Sequence, residues 1–453
     1  MSERMDVDSL APLDALELAL SRAKALGAGQ VDALYGDDDS LSVDIFEGRV
    51  KNVEKSRSAG LGLRVLVDGR PGYSFTERLT VEAVERCARD AVDLSRLTDE
   101  LPVELPQAWS LPEDSIAPWG PSVRDLDVVT MIDLCRAAED EALSSGPSIF
   151  NVPHLGIGRS SGELYLANSN GLSLARRTAS ASLGIGVVAK DGDSTKMGVD
   201  VYATLDPSEF DPRAMARSAS TRAVSLLGAR ALPACEMPVL FDEWVSSSLL
   251  GIFAGAFVGE NVQKGQSRLK GREGERIAHE EFSLATRPHM MRQGGSRLFD
   301  GEGVPTQPRY LVENGVLKGF LHNLESSNRA GCLPTGDAQR GYSGKVGAGF
   351  SNMLVPTGTE SLEELRRRHP RMLHVVKLEG ASGCNAVSGE ISIGVQGFLI
   401  EYGKAVQPVD RITVSGNFFE LLQGIEAFGN TYRPGLCSNF VPALLVSRMA
   451  IGG

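Results

Sequence analysis

Two stretches far apart in the chain are near copies: "LGLRVLVDG" at 61–69 and "LGIGVVAKDG" at 183–192. Leu61, Gly62, Leu63 and Val65 fall on Leu183, Gly184, Ile185 and Val187, and one inserted residue precedes a shared Asp-Gly turn. The surrounding order repeats as well. "PLDALELALSRAKALG" opens the first half as a helix, with Leu16, Ala19, Leu20, Ala23 and Leu26 at helical spacing and Gly27 as its stop. Strand-like runs follow in "LSVDIFEG", "RVKNVEKSRS" and "GLGLRVLVDGRPGYSF", with Asp68-Gly69 as a hairpin turn. A helix from about Thr80 to Leu94 closes the unit. The second half has a helix over about Asp127 to Leu143, strands in "GELYLANSNGLSLARRTASASLGIGVVAKDGD" and a closing helix in "PRAMARSASTRAVSLLG". The closing helices echo each other in "RDAVDL" and "TRAVSL". A duplicated unit restricts this region to two similar helix–strands–helix layers; two unrelated α/β layers are the alternative.

The chain has 453 residues, enough for about two to four domains. The expected organisation is α+β. An α/β unit spans 1–105, a Pro- and Trp-rich linker pinned by Trp109 and Trp119 spans 106–122, and a second α/β unit spans 123–230. A large β-rich C-terminal domain follows over 234–453. There the texture changes to glycine and short strands, with turn signals at Asn314-Gly315 and Tyr402-Gly403 and a charged helix, "SLEELRRRH", capped by Ser361.

The formal net charge is -12, which disfavours nucleic acid as a partner, since phosphate binding asks for a basic face. No apolar run approaches the ~20 residues of a membrane span. The N-terminus, "MSERMDVDSLAPLDALELAL", has acids where a secretion signal has bases. Six scattered cysteines without a CxxC pair fit a reducing compartment. Together these predict a cytoplasmic protein.

Familiar catalytic patterns are missing. His279-Glu280 has no second His one turn on, and Pro370 breaks the chain between His369 and His374. His154, His289 and His322 have no near His partner. Ser267 and Lys270 have S-x-x-K spacing, but so do Ser21 and Lys24 on an ordinary amphipathic helix. "GYSGKVGAGFSN" has neither Walker nor Rossmann spacing. Cys384 and Cys437 need an activating base that sequence does not place. Two constellations stand out. "DGEG" puts Asp300 and Glu302 in one glycine-bracketed turn, able to bind a cation, cap a helix or hold a backbone amine. "NVQKGQSRLKGREGERIA" carries Lys264, Arg268, Lys270, Arg272 and Arg276, either a solvated face or a surface that steers an acidic peptide.

"AGLGLRVLVDGRPGYSFTE", "FDGEGVPTQPRYLVENGVLKGFL", "LPTGDAQR" and "SGEISIGVQGFLIEYGKAVQPVDRITVSGNFFELLQGI", with "ALLVSRMAIGG" at the end, resemble in content and order the TldD/TldE (PmbA) proteins, once called modulators of DNA gyrase. They are closest to the TldE/PmbA branch. The resemblance implies a two-subunit metallopeptidase: a TldD-like subunit holds zinc on an H-E-x-x-x-H helix, and a TldE-like subunit lacks that motif. Together they cleave peptides, including leader segments. The motif helix corresponds to "LLGIFAGAFVGENVQKGQS", with Gly251 and Ala256 at the two His positions and Ile252 at the Glu position. None of these can bind zinc or activate water, and Glu260 is the only acidic residue in 249–261. The family's C-terminal Cys ligand does not carry over to Cys437. Thr286-Arg287-Pro288 stands where relatives tend to have acids before a Pro.

The resulting expectation is a catalytically silent subunit with no metal or cofactor of its own. It pairs with a zinc-bearing TldD-like chain, or with itself when no partner exists. It contributes Asp300, Glu302, Lys264 and Arg268 to holding a peptide. A stand-alone, non-metal amide hydrolase using Asp300, Glu302 or a Cys is one alternative; a non-enzymatic regulatory protein is the other.

Overall fold

A computed structural model describes residues 9–101, 103–112 and 116–453. The first unit runs α1 (Pro12–Ala25), β1 (Gln30–Phe46), β2 (Arg49–Val67), β3 (Arg70–Thr76) and α2 (Val81–Ser95). The second runs α3 (Val128–Ser144), β4 (Ile149–Asn168), β5 (Ser173–Asp191), β6 (Ser194–Thr204) and α4 (Pro212–Ser225). The helix starts follow from their caps: Thr80, Asp127 and Asp211 each accept an N–H three residues on. α1 buries Ala15, Leu16, Ala19 and Ala23, while Leu26 lies past the helix end and is exposed.

The two units share one sheet. Its order is β3-β2-β1-β4-β5-β6, and the seam is an antiparallel β1–β4 ladder from Asp32↔Asn168 to Asp44↔Gly156. β1 begins earlier than "LSVDIFEG" suggests, because the acidic run Asp37–Asp39 is itself strand, and "RVKNVEKSRS" continues without a break into "LGLRVLV" as β2. The hairpin turns differ by one residue. Asp68-Gly69 forms the first, both with positive φ, whereas Asp191 is still paired and Gly192-Asp193 makes the second.

One face of the sheet carries all four helices. Val31, Ala33, Leu61, Leu63 and Val65 pack on α1 and α2, and Val43, Ile45, Leu155, Ile157, Leu183 and Ile185 pack on α3 and α4. Alternation then sends Asp32, Leu34, Arg64, Leu164, Leu166, Leu174 and Arg176 to the opposite face.

The Pro- and Trp-rich segment is more than a surface linker. Ile116, Ala117 and Pro118 are buried, and Ala179 on β5 donates its N–H to Pro118 O while accepting from Gly120. The segment therefore extends the sheet, and Trp109 Nε1 reaches Gly303 O in the C-terminal domain at 2.9 Å.

The C-terminal domain is built on β7 (Cys235–Phe241), β14 (Arg371–Leu378), β15 (Glu390–Glu401), β16 (Lys404–Asn417) and β19 (Leu444–Gly452). These follow the order β16-β15-β14-β7-β19, and β16 also pairs with β19, so the five strands close on themselves. β17 (Ile425–Phe428) is added to β19. Between β7 and β14 lie α5 (Glu243–Phe253), α6 (Gly259–Gln263), β8 (Leu284–Thr286), β9 (Arg309–Glu313), β10 (Val316–Leu317), α7 (Leu324–Ala330), β11 (Ala338–Gln339), β12 (Gly347–Ala348), β13 (Met353–Leu354) and α8 (Leu362–Leu365). α9 (Phe418–Gln423) follows β16 and β18 (Asn439–Phe440) precedes β19. β8, β9, β10, β13 and β18 make a second sheet. Asn314-Gly315 and Tyr402-Gly403 both have positive φ and form the expected hairpin turns. "SLEELRRRH" is helical only over Leu362–Leu365, capped by Ser361 in a capping box with Glu364.

Candidate functional site

The sheet face without helices seats the C-terminal domain, and its centre is ionic. Antiparallel pairing sets Asp32 opposite Arg64. Arg64 Nε and Nη2 grip the Asp32 carboxylate, Nη2 at 2.5 Å, and Nη1 reaches Glu302 Oε1 at 2.5 Å. Arg340 Nη1 donates to Asp32 Oδ1 at 2.8 Å. All four side chains are at most 2% exposed. Burial pushes the Asp32 carboxyl up, but Arg340 and Arg64 outweigh it and hold it below the usual range. Arg64 is likewise raised by Asp32 and Glu302 against the effect of burial.

The "DGEG" turn is the C-terminal domain's half of this seat. Asp300 Oδ1 accepts the N–H groups of Glu302 and Val304, and Oδ2 accepts that of Ala338. Glu302 Oε2 accepts the N–H of Leu324, where α7 begins. Gly303 sits at φ +80, and a Cβ there would lie 2.4 Å from Leu172 Cδ2. Burial, then the Glu302 charge, pushes the Asp300 carboxyl up to about 7 despite its three N–H donors. Asp300 and Glu302 are 2% and 1% exposed. This corrects the expectation that they face a peptide: their carboxylate oxygens already serve protein partners, since a buried carboxylate survives only when paired. Neighbouring Tyr342 lies across Gly60 and Gly62, and a Cβ on Gly62 would meet Tyr342 O at 2.0 Å.

The segment 249–261, uncharged up to Glu260, is not a single helix. Asp242 caps α5, which ends at Phe253; a 3-10 turn covers Ala254–Phe257, Val258 is extended, and α6 restarts at Gly259. Its composition follows from its place in the large core of the C-terminal domain: Leu249, Leu250, Phe253, Ala256 and Phe257 are buried, and Phe253 stacks on Phe418 at 4.4 Å. Gly251 is exposed, Ile252 half-buried and Ala256 fully buried. Gly259 is required by close packing, since a Cβ would lie 2.1 Å from the His322 ring. That ring is pushed down to about 4 by burial and then Arg309, and its Nδ1 meets Ser326 Oγ.

The basic run disperses. Lys264 pairs with Glu260 at 2.5 Å, Arg272 with Glu275 at 2.7 Å, and Arg276 bonds Asn314 O. Arg268 lies over the Phe419 ring. Lys264 and Arg268 are exposed but belong to no common cluster with Asp300 and Glu302. The Ser267 hydroxyl donates to Ala256 O, so it is a packing group rather than a nucleophile held by Lys270. His369 meets Glu426 at 2.6 Å, while burial and then Arg366 push His374 down to about 3. All six cysteines are free; burial raises Cys437, and Cys384 is half-buried. Thr286 lies within β8, and Arg287 lies over Tyr310. Among the described residues no three His, Cys, Asp or Glu side chains converge to hold a metal, and no helix is long and apolar enough to cross a membrane.

Sequence reading missed Asp32, Arg64, Arg176, Arg297 and Arg340. A signal existed for two of them: Arg64 and Asp32 are single charges inside otherwise apolar strands, "LGLRVLV" and "QVDALY". Their pairing across the domain boundary is decided by register and docking.

Three domain models of one family match the chain: PmbA/TldA metallopeptidase domain 1 over residues 31–95, the central domain over 121–227 and the C-terminal domain over 234–453. A metalloprotease PmbA homolog of Haemophilus influenzae is 27% identical, with 97% of this chain and 95% of the relative covered. Metalloprotease PmbA of Escherichia coli O157:H7 is 28% identical, covering 92% and 91%. A Thermotoga maritima structure described as a candidate modulator of a DNA gyrase superposes with TM-score 0.89 at 26% identity, covering 98% and 100%. TldE from Thermococcus kodakarensis shares the fold, with TM-score 0.87 at 22% identity over 97% and 100% of the chains. From its first sheet to its closed C-terminal barrel, the chain therefore belongs to the PmbA/TldA metallopeptidase family.

Proposed function

We propose that this chain is the TldE/PmbA-like subunit of a two-subunit zinc peptidase, catalytically silent by itself, cytoplasmic, and shaping the chamber that holds a peptide for a TldD-like partner. The observation that carries this reading is the segment 249–261. The resemblance sets Gly251, Ile252 and Ala256 at the zinc-motif positions, and the segment leaves the α-helix at Phe253 for a 3-10 turn over Ala254–Phe257. A metal helix needs ligand side chains on one regular face around an open coordination position; here the backbone and the side chains are both given to packing. Zinc belongs to the partner in this reading.

The test is direct. The chain is co-expressed with an H-E-x-x-x-H relative and purified. The two chains are expected to co-elute at micromolar concentration, with chelator-sensitive peptidase activity only in the mixture. Activity of the isolated chain that survives chelation would overturn the proposal in favour of a stand-alone hydrolase. That alternative is disfavoured by Asp300 and Glu302, both buried and internally bonded. For the regulatory reading suggested by the gyrase-modulator description of a relative, the net charge of -12 opposes direct DNA contact. A salt-dependent DNA affinity of the isolated chain would revive it.

A further inference from the structure

Two guanidinium groups at the face between the sheet and the C-terminal domain make no ion pair among the described residues. Arg64 and Arg340 use Asp32 and Glu302, and Arg309 takes Asp337. Arg176 on β5 and Arg297 just before the "DGEG" turn have no ion pair among the described residues. Arg297 Nε and Nη2 are both buried without an acceptor among the described residues, as is Arg340 Nε. Nε and Nη2 form the side-on edge with which Arg64 grips Asp32; on Arg297 the same edge is empty. The neighbouring carboxylate, Asp300, is committed to three backbone N–H groups.

Arg176 is laid against the Phe299 ring, 5.8 Å from its centroid. With Arg340, Thr178, Tyr342, Gly36 and Gly162 it walls a cavity of about 190 Å³ that reaches solvent at exposed Gly341. Two carboxyls also border this cavity. Glu163 is taken by Arg177 and Arg124, and burial followed by Asp37 pushes the Asp38 carboxyl up, so it is a weakened counter-ion. Burial, and then Arg297, pulls Arg176 down to about 10. Both arginines are half-buried, and a cation taken out of water is costly unless an anion completes it.

We propose that this crevice is a carboxylate site, in which a peptide carboxylate is held by the two guanidinium groups that wall it, Arg176 and Arg340. A planar, two-oxygen acceptor matches the side-on edge of a guanidinium. Only the choice of a peptide as carrier rests on the function proposed above. The carboxylate is the C-terminus or an acidic side chain.

Binding is measured on the isolated full chain by fluorescence anisotropy. The probes are a labelled oligoalanine with a free C-terminal carboxylate, its C-terminal amide, an amide with one internal Glu, and inorganic phosphate as competitor. The free acid, the internal-Glu amide or both are expected to bind at least about tenfold more tightly than the plain amide, the worth of a charge-assisted hydrogen-bond pair. The comparison of these two arms identifies the source of the carboxylate. R176A is expected to lose that advantage while unfolding no earlier than wild type, and R176K to recover only part of it. Equal binding of acid and plain amide, wild-type binding by R176A, or displacement by phosphate with no carboxylate preference would each overturn the site. Failure here leaves co-elution with a TldD-like chain unaffected, so the two proposals fail separately.

Discussion

Replacing Arg64 by Ala should damage this protein more than any surface change. Its guanidinium makes the side-on contact to Asp32 and the 2.5 Å contact to Glu302, with all three groups at most 2% exposed. Removing it leaves Asp32 with Arg340 alone and Glu302 with only the Leu324 N–H. Deleting one partner of a buried ion pair costs about 3–5 kcal/mol, because the orphaned charge stays desolvated. At ~2–4 °C per kcal/mol for a domain of ordinary size, the unfolding midpoint should fall by about 6–20 °C. Differential scanning calorimetry and urea titration near neutral pH measure it. Added salt should change the difference little, since buried pairs are poorly screened. Glu302→Gln in the R64A background should cost less than in wild type, with a coupling of about 1 kcal/mol or more. A midpoint shift under about 3 °C, or additive effects of the two changes, would refute the claim that this cluster holds the two domains together.

Four further outcomes follow from the structure. Asp300 has a folded-state carboxyl raised to about 7; it therefore favours the fold while protonated, and that contribution is lost as pH rises through about 7. The stability of wild type relative to D300N should be greater at about pH 5 than at about pH 8, by urea midpoint, and a reversed trend would contradict the assignment. His322 and His374, lowered to about 4 and about 3, act with the opposite sign: the folded state loses their contribution as pH falls below about 6.5. G62A should separate the sheet from the C-terminal domain, because its Cβ would lie 2.0 Å from the Tyr342 carbonyl oxygen; faster proteolysis of 297–345 is the readout, and unchanged cleavage would count against it. Restoring the zinc motif as G251H/I252E/A256H should not produce stoichiometric zinc by elemental analysis, since Ala256 is 0% exposed beyond the break at Phe253; tight zinc in a folded variant would show that the slot is still a metal site.

Much of the architecture was legible in the chain. Helix starts near Thr80 and Asp127, the cap at Ser361 and the turns at Asp68-Gly69, Asn314-Gly315 and Tyr402-Gly403 are local chemistry, and local chemistry survives tertiary context. The duplicated helix–strands–helix order and the β-rich C-terminal half were also readable, because hydrophobic period follows element type. That Gly251, Ile252 and Ala256 carry no zinc-ligating or water-activating group is a matter of side-chain identity and needs no coordinates.

What the tertiary structure decided is where charge goes. Residues 32, 64, 302 and 340 meet only because β1 and β2 pair in one register and the "DGEG" turn docks on the bare sheet face. The same docking turned Asp300 and Glu302 from apparent ligands into buried fasteners. It also left Arg176 and Arg297 without an ion pair among the described residues, and Arg297 Nε and Nη2 without a hydrogen-bond acceptor there. Sequence reports which groups are ionisable; only the fold settles which are desolvated together, and burial without a partner makes a charge either a liability or a binding site.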